Sequence, residues 1–241
     1  MKKLTALFPA ALLLLSLAAC SSKAPAQGVI ALPQQTEAAA STEAAGSQEN
    51  AGAAQAAPAA NARILIAYFT MPETDGVDTV AGASRVATAS GVMGNTEFIA
   101  REIQKNLGGD LFAIQTVQTY PGSHSPLLEF AYNEKGDNAR PALSTHIENL
   151  ADYDYIFIGY PNWNADLPMP MYSFFEEYDF SGKTIIPFVT HGGSGFSRTV
   201  RTIESLEPNA TVVEAGLSVS RGSVPNAQAA VKTWTDSLLA K

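Results

Sequence analysis

The sequence has a single cysteine, Cys20, and only three histidines, so the residues that most often bind transition metals are scarce. With no second cysteine, a disulfide within the chain is excluded. No histidine occurs in a His-x-x-x-His or Glu-x-x-His pattern, and a zinc site needs several converging ligands. Basic residues are also few, 15 against 23 acidic ones. The resulting charge of −8 argues against nucleic acid as a partner.

Long apolar runs are absent except at the amino-terminal end. Lys2 and Lys3 precede residues 4–19, which are apolar but for a threonine, a proline and a serine, and polar residues 21–23 follow. The run is shorter than the ~20 residues that a membrane-spanning helix needs. A positively charged start, a short apolar stretch and small residues at its end are typical of a secretory signal peptide.

The end of this segment, Leu17-Ala18-Ala19-Cys20, resembles the lipobox of bacterial lipoproteins. That resemblance implies cleavage before Cys20, lipidation of Cys20, and a mature protein that is extracytoplasmic and anchored to a bacterial membrane. The alternative is a chance cysteine inside a signal peptide that is cut elsewhere.

Residues 21–62 are dominated by Ala, Gln, Ser, Glu, Gly and Pro, with few aromatic or β-branched residues. Such a composition buries too little apolar surface to fold, so we predict a disordered linker. The remaining residues, 63–241, suit one domain. Because the first 62 residues contain three lysines and three glutamates, the charge of −8 belongs to this domain.

Apolar runs of strand length alternate with helical segments along the domain. The predicted strands are 64–69, 111–117, 155–160, 184–190 and 211–213. The predicted helices are 97–107, 127–133, 169–178, 198–206 and 225–239. The strands are continuously apolar, as in a parallel sheet covered on both faces, which predicts a doubly wound α/β fold. Ligands of such sheets bind beyond the carboxyl ends of the strands, so the informative loops follow residues 70, 160 and 190.

In order and placement, several motifs together resemble the flavodoxin family, specifically a branch with a long insertion in its first loop. These motifs are residues 64–70, Gly94-Asn95-Thr96, residues 155–163, Phe180-Ser181-Gly182-Lys183-Thr184 and residues 190–195. The resemblance implies a flavodoxin-like three-layer α/β sandwich, with a five-stranded parallel sheet in the order 2-1-3-4-5, and non-covalently bound FMN.

By this resemblance, Thr70, Gly94, Asn95 and Thr96 bind the FMN phosphate without a lysine or an arginine. The start of a helix offers unpaired N–H groups and a partial positive charge, and glycine lets the backbone approach the anion. The alternative is that Asn95 only caps the helix. The insertion, residues 71–93, is poor in apolar residues and is predicted to be a mobile loop. The insertion either closes over the flavin as a lid, in which Arg85 is the only cation, or it is a surface loop with no role at the site.

The second loop supplies Pro161, Asn162 and Trp163, and the resemblance places the Trp163 ring against the flavin. Trp163 could also be ordinary core packing. Related sequences often have a second tryptophan where this chain has Asn164. Asp166, if close to the flavin, would disfavour a negatively charged reduced ring.

The third loop supplies Thr190, His191, Gly192, Gly193 and Gly195, whose backbone the resemblance places at the pyrimidine edge of the flavin. His191 could donate a proton near the flavin, bind a metal or simply shape the loop. A serine hydrolase motif is rejected because the Gly-x-Ser-x-Gly spacing is incomplete and no histidine follows Ser194.

These features predict an FMN-binding redox protein that transfers electrons outside the cytoplasm, with a redox partner protein or a quinone that the sequence does not identify. A second hypothesis is an NAD(P)H-dependent reductase of quinone, azo or nitro compounds through the same flavin. A third is a flavodoxin-like binding module that has lost FMN, which the missing second tryptophan favours.

Overall fold

The computed structural model describes residues 62–74, 84–89 and 91–239. The predictions for the signal peptide, for Cys20 and for the linker up to residue 61 lie outside the described residues. Within those ranges, no helix combines the length and the apolar character that crossing a membrane requires.

The helices and strands follow the alternation expected from the sequence. In chain order they are β1 (Ile64–Phe69), β2 (Arg85–Thr88), β3 (Gly91–Gly94), α1 (Asn95–Leu107), β4 (Asp110–Ile114), α2 (His124–Gly136), β5 (Tyr155–Pro161), α3 (Met169–Glu177), β6 (Thr184–His191), α4 (Thr199–Leu206), β7 (Thr211–Val212), β8 (Leu217–Ser220) and α5 (Gln228–Leu239). Short 3-10 turns occupy Leu150–Asp152 and Val224–Asn226. The largest shift in a helix is at α2, whose 13 residues exceed the predicted 127–133.

The main sheet is parallel, with its strands in the order β4-β1-β5-β6-β7. Counted within this sheet alone, that is the predicted order 2-1-3-4-5, and the predicted flavodoxin-like α/β fold is confirmed. The predicted number of strands was one too few, because β8 also pairs with β6 in parallel, from Phe188–Leu217 to His191–Ser220.

The last strand is divided because β6 contains a proline. The carbonyl of Ile185 accepts a hydrogen bond from the backbone N–H of Val213 (2.9 Å), so the polar backbone groups of Ile185 face β7. Two residues later Pro187 faces the same edge, and proline has no N–H to donate. The ladder therefore ends after β7 and resumes at β8, beyond Gly216, where a Cβ atom would collide with the Pro187 carbonyl.

Helices cover both faces of the sheet, which explains the continuous apolar runs. All six residues of β1 are buried. Leu65, Ala67 and Phe69 belong to the cluster shared with α2, α3 and α4, whereas the alternate residues belong to the cluster shared with α1 and α5. Each strand thus contributes to two cores, and neither face requires polar residues.

The prediction of a structureless insertion was wrong for its second half. β2 and β3 form an antiparallel hairpin with Arg85 opposite Gly94. Val86 is 4% exposed and belongs to the α1 and α5 side of the core. The insertion contains too few apolar residues for a core of its own, but one valine reaches the core of the domain.

Candidate functional site

A pocket opens where β1, β5 and β6 end, as expected for a doubly wound sheet. Eight of the twelve residues predicted to bind the cofactor line it: Thr70, Thr96, Pro161, Asn162, Trp163, Thr190, His191 and Gly192. The other four, Gly94, Asn95, Gly193 and Gly195, adjoin these in the same loops but are not part of the pocket wall. The three predicted loops therefore meet at one site.

The start of α1 forms one end of the pocket. Gly94 is the N-cap, and no side chain caps the helix, so the suggestion that Asn95 is only a cap is wrong. A Cβ atom on Gly94 would collide with the Thr70 side chain, so only glycine brings the loop this close to the end of β1. The Asn95 N–H donates to the Ser84 carbonyl (2.9 Å), and the remaining N–H groups of the first turn of this 13-residue helix suit an anion.

The hydroxyl groups of Thr96 and Thr190 lie 2.8 Å apart and form a hydrogen bond. Thr96 is 1% exposed and Thr190 is also buried, so this bond joins the start of α1 to the end of β6 inside the protein. One hydroxyl donates in this bond, and the other accepts and keeps its own O–H available to donate to a ligand. The first and third loops are therefore fixed against each other.

Trp163 is held by a two-residue turn. The backbone groups of Trp163 and Asp166 exchange hydrogen bonds of 3.2 and 3.0 Å, and the central residues Asn164 and Ala165 have φ values of 53° and 59°. Positive φ at both centres is the requirement of a type I′ turn. Ala165 adopts it without being glycine, at a cost of roughly 1–2 kcal/mol. The turn thus holds Trp163 in one position.

The Trp163 ring lines the pocket and also packs into the core. It is 7% exposed and contacts Phe69 at 5.4 Å and Tyr120 at 5.6 Å between ring centroids. The Tyr120 hydroxyl donates to the buried Glu134 carboxyl at 3.0 Å, and burial raises the pKa of that carboxyl. Trp163 therefore packs in the core and also lines the pocket, and its contact with the flavin stays a prediction.

Asp166 does not line the pocket. Its carboxylate forms an ion pair with Lys135 (3.0 Å) and accepts hydrogen bonds from the Tyr172 hydroxyl and the Leu167 N–H. The effect expected of Asp166 was conditional on its closeness to the flavin, and this pocket wall gives that condition no support, since Asp166 lies outside it and its charge is balanced by Lys135.

Two amides in the pocket wall have buried atoms without hydrogen-bond partners. They are the Asn162 Oδ1 and Asn164 Nδ2 atoms. The Asn162 Nδ2 group already donates to the Gly195 carbonyl (2.7 Å) and to Ser197 Oγ (3.0 Å). Buried polar atoms are normally satisfied, so one free acceptor and one free donor facing the same pocket point to a polar ligand. The asparagine at 164 thus offers a hydrogen bond in place of a second aromatic ring.

His191 shapes the third loop and remains uncharged at neutral pH. Its Nδ1 accepts the N–H of Gly193 at 2.9 Å, and its carbonyl accepts the N–H of Arg221 at 2.8 Å. Burial lowers the pKa of His191 below the ordinary value. With Nδ1 occupied as an acceptor, the ring presents an Nε2–H donor. The metal alternative finds no support, since no group of three potential ligands converges within the described ranges.

Eight residues of the pocket wall are not among the twelve predicted to bind the cofactor: Met71, Ser84, His124, Leu127, Leu128, Asn164, Ser194 and Arg221. Ser84 comes from the insertion in the first loop, and His124 comes from the start of α2. Arg221 follows β8, and its guanidinium group lies 3.8 Å from where a Cβ on Gly192 would be. It forms no ion pair with any described residue. It is therefore a positive charge in the pocket wall that no described carboxylate balances.

Comparisons with known proteins agree with this geometry. The family model described as Flavodoxin matches residues 83–238, more than half of the chain. A candidate flavoprotein from Bacteroides eggerthii is 26% identical, with a TM-score of 0.51 over 75% of this chain and 100% of that one. One from Bacteroides uniformis is 24% identical, with a TM-score of 0.51 over 73% and 98%. A flavoprotein from Lactobacillus acidophilus, solved with FMN, is 16% identical, with a TM-score of 0.49 over 67% and 95%. No curated protein matches the chain.

Proposed function

This chain belongs to the flavodoxin family, and we propose that it is an FMN-binding redox protein that transfers electrons outside the cytoplasm, held to a membrane by a lipid on Cys20. The observation that carries the proposal is the contact between Gly94 and Thr70 at the uncapped start of α1, which leaves no room for a Cβ atom. A cradle of this kind fits a phosphate group.

The rest of the pocket fits the other parts of FMN. Thr70 and Thr96 provide hydroxyls beside the phosphate cradle, and Trp163 gives the ring an aromatic contact. The free Asn162 Oδ1 and Asn164 Nδ2 atoms can satisfy polar atoms at the ring edge. FMN, when bound, supplies the ability to take up and release electrons. The protein binds and orients it, and restricts water on the side of the buried Trp163.

The FMN proposal is tested by reconstituting the purified full chain in detergent and recording its visible spectrum. We expect a bound-flavin spectrum that survives gel filtration, and tighter binding of FMN than of riboflavin by titration, because the cradle recognises phosphate. A chain that retains neither flavin would instead be the flavin-free binding module.

The anchor proposal rests on Cys20, the only thiol in the sequence. We expect Cys20→Ala to release the protein from the membrane fraction and to block lipoprotein processing, whereas Ser21→Ala should leave both unchanged. Normal processing and membrane retention of Cys20→Ala would show that the anchor is not a lipid on this cysteine. The electron partner, a redox protein or a quinone, belongs to the same proposal.

A further inference from the structure

Glu73 is a buried carboxylate whose only side-chain partner among the described residues is a histidine of the pocket. It is 1% exposed, and its Oε1 atom lies 2.8 Å from His124 Nδ1. The Oε2 atom is buried and has no hydrogen-bond partner in the part of the chain that the structure describes. Burying a carboxylate costs free energy unless hydrogen bonds compensate, and here only one oxygen has such a bond. Core packing therefore does not explain this residue.

The backbone holds this pair in place from both sides. The Glu73 N–H donates to Ser84 Oγ at 2.9 Å, and the Thr74 N–H donates to the Gly122 carbonyl at 2.7 Å, two residues before His124. The insertion is thus joined to the loop that precedes α2. Glu73 and His124 are brought together by fixed main-chain positions and not by two mobile side chains.

His124 is the first residue of α2 and lines the pocket, with 38% of its side chain exposed. A carboxylate can only accept a hydrogen bond, so the neutral His124 ring carries its proton on Nδ1 and donates it to Glu73 Oε1. Nε2 is then the nitrogen that can take up and release a proton, the arrangement by which a carboxylate orients a catalytic histidine. Leu127 and Leu128, on the next turn of α2, line the same pocket.

We propose that His124, positioned by Glu73, is the catalytic acid for the reduction of small quinones by the reduced FMN of the proposed function. The quinone takes two electrons and one proton as hydride from the reduced FMN, and one O–H bond forms. The second oxygen, now anionic, takes the proton that leaves Nε2 and forms the other O–H bond. FMN ends oxidised, and His124 ends neutral and regains its proton from solvent.

The wall beside His124 fits this class of acceptor. Leu127 and Leu128 offer apolar contacts to a flat ring, and Nε2 offers a hydrogen bond to its carbonyl oxygen. The chain has a net charge of −8, which disfavours anionic substrates over a neutral quinone.

The experiment reduces the FMN-loaded full chain anaerobically and measures its reoxidation by stopped flow with two acceptors. One is 1,4-naphthoquinone, which takes up protons. The other is ferricenium, a one-electron acceptor that takes up none. General acid catalysis contributes ~10²–10⁴-fold, so His124→Gln should slow the quinone reaction roughly a hundredfold and the ferricenium reaction less than twofold. His146→Gln, which alters the exposed His146–Glu177 pair (2.6 Å), should change neither.

Glu73→Gln tests the positioning role without turnover. In the wild type, ¹⁵N NMR of labelled histidine should show the proton of neutral His124 on Nδ1. Glu73→Gln should shift the tautomer population and slow only the quinone reaction. Equal slowing with both acceptors, or no slowing, overturns the inference. If His124→Gln weakens the binding of FMN but not of riboflavin, the inference is overturned as well, because such a result places His124 at the phosphate. A wild type that retains no FMN refutes the proposed function itself.

Discussion

At the α1 end of the pocket, Gly94 and Thr70 lie so close that a methyl group added to Gly94 has no space, and the Thr96 hydroxyl is bonded to that of Thr190. At the other end, Trp163 lies in a packed aromatic cluster, while Asn162 keeps a polar atom free for a ligand. The first end is built from backbone and short hydroxyl side chains, and the second from a large ring supported by the core. We therefore expect the affinity for phosphate and the redox potential of the flavin ring to depend on different residues.

The largest effect is expected at the aromatic end. Trp163→Ala removes a buried ring and should lower the free energy of unfolding by ~3–5 kcal/mol, measured by denaturant titration. It should also raise the midpoint potential for the second electron, because an electron-rich indole face disfavours an anionic reduced flavin. Trp234→Ala is the control. This ring packs on Phe157 at 5.7 Å, away from the pocket, so it should cost stability without changing the potential. A potential unchanged by Trp163→Ala would make Trp163 core packing alone.

The next effect belongs to the phosphate end. Gly94→Ala places a methyl group against Thr70, and overpacking of this kind costs ~1–3 kcal/mol. We expect FMN affinity to fall up to about a hundredfold in fluorescence titrations, with little change in the potential of the bound flavin. Gly136→Ala is the matched control, since nothing lies within 4 Å of its added Cβ. If Gly94→Ala changes the potential of the bound flavin strongly and its affinity only weakly, the two ends of the pocket do not have separate roles.

A smaller and more specific effect is expected at Thr96. Thr96→Ala removes a hydroxyl beside the phosphate cradle, and a charge-assisted hydrogen bond is worth ~1.5–3 kcal/mol. FMN should therefore bind roughly tenfold to a hundredfold more weakly, with riboflavin much less affected. Thr202→Ala on α4, outside the pocket wall, should affect neither flavin. Equal losses for FMN and riboflavin would mean that Thr96 acts only through its bond to Thr190.

The smallest effect is expected at Arg221. Arg221→Met removes the positive charge beside Gly192, which should lower the midpoint potential for the second electron, whereas Trp163→Ala should raise it. Partly exposed charges interact by ~0.2–1 kcal/mol, equivalent to roughly 10–40 mV for one electron. Spectroelectrochemical titration would measure it, with Arg201→Met on α4 as the control. A rise in potential would contradict this assignment.

The sheet and its loops were predictable because their signals are local. The apolar run of β1 is buried on both faces, and the Gly94-Asn95-Thr96 sequence opens a helix with clear periodicity. Each signal lies within a few neighbouring residues. Parallel topology then determines which loops meet, so the pocket could be located before its geometry was known.

The unpredicted residues depend on contacts between distant parts of the chain. Glu73 and His124 are 51 residues apart, and neither lies in a periodic pattern. Val86 is one buried residue in an insertion rich in Gly, Ala, Ser, Thr and Asp, which gives too weak a signal for a strand prediction. Arg221 follows a four-residue strand that forms only because Pro187 interrupts the ladder. Tertiary packing decides such positions, and a local pattern does not record it.

The interruption at Pro187 also affects how the molecule behaves among its own copies. An uninterrupted terminal strand would expose a long row of unpaired N–H and C=O groups, to which a strand of a neighbouring molecule could add. Here that edge is divided into the two residues of β7 and the four of β8. Two short, separated segments are a poor template for intermolecular pairing. The same proline that ends the ladder therefore protects the protein against aggregation when many copies are crowded together.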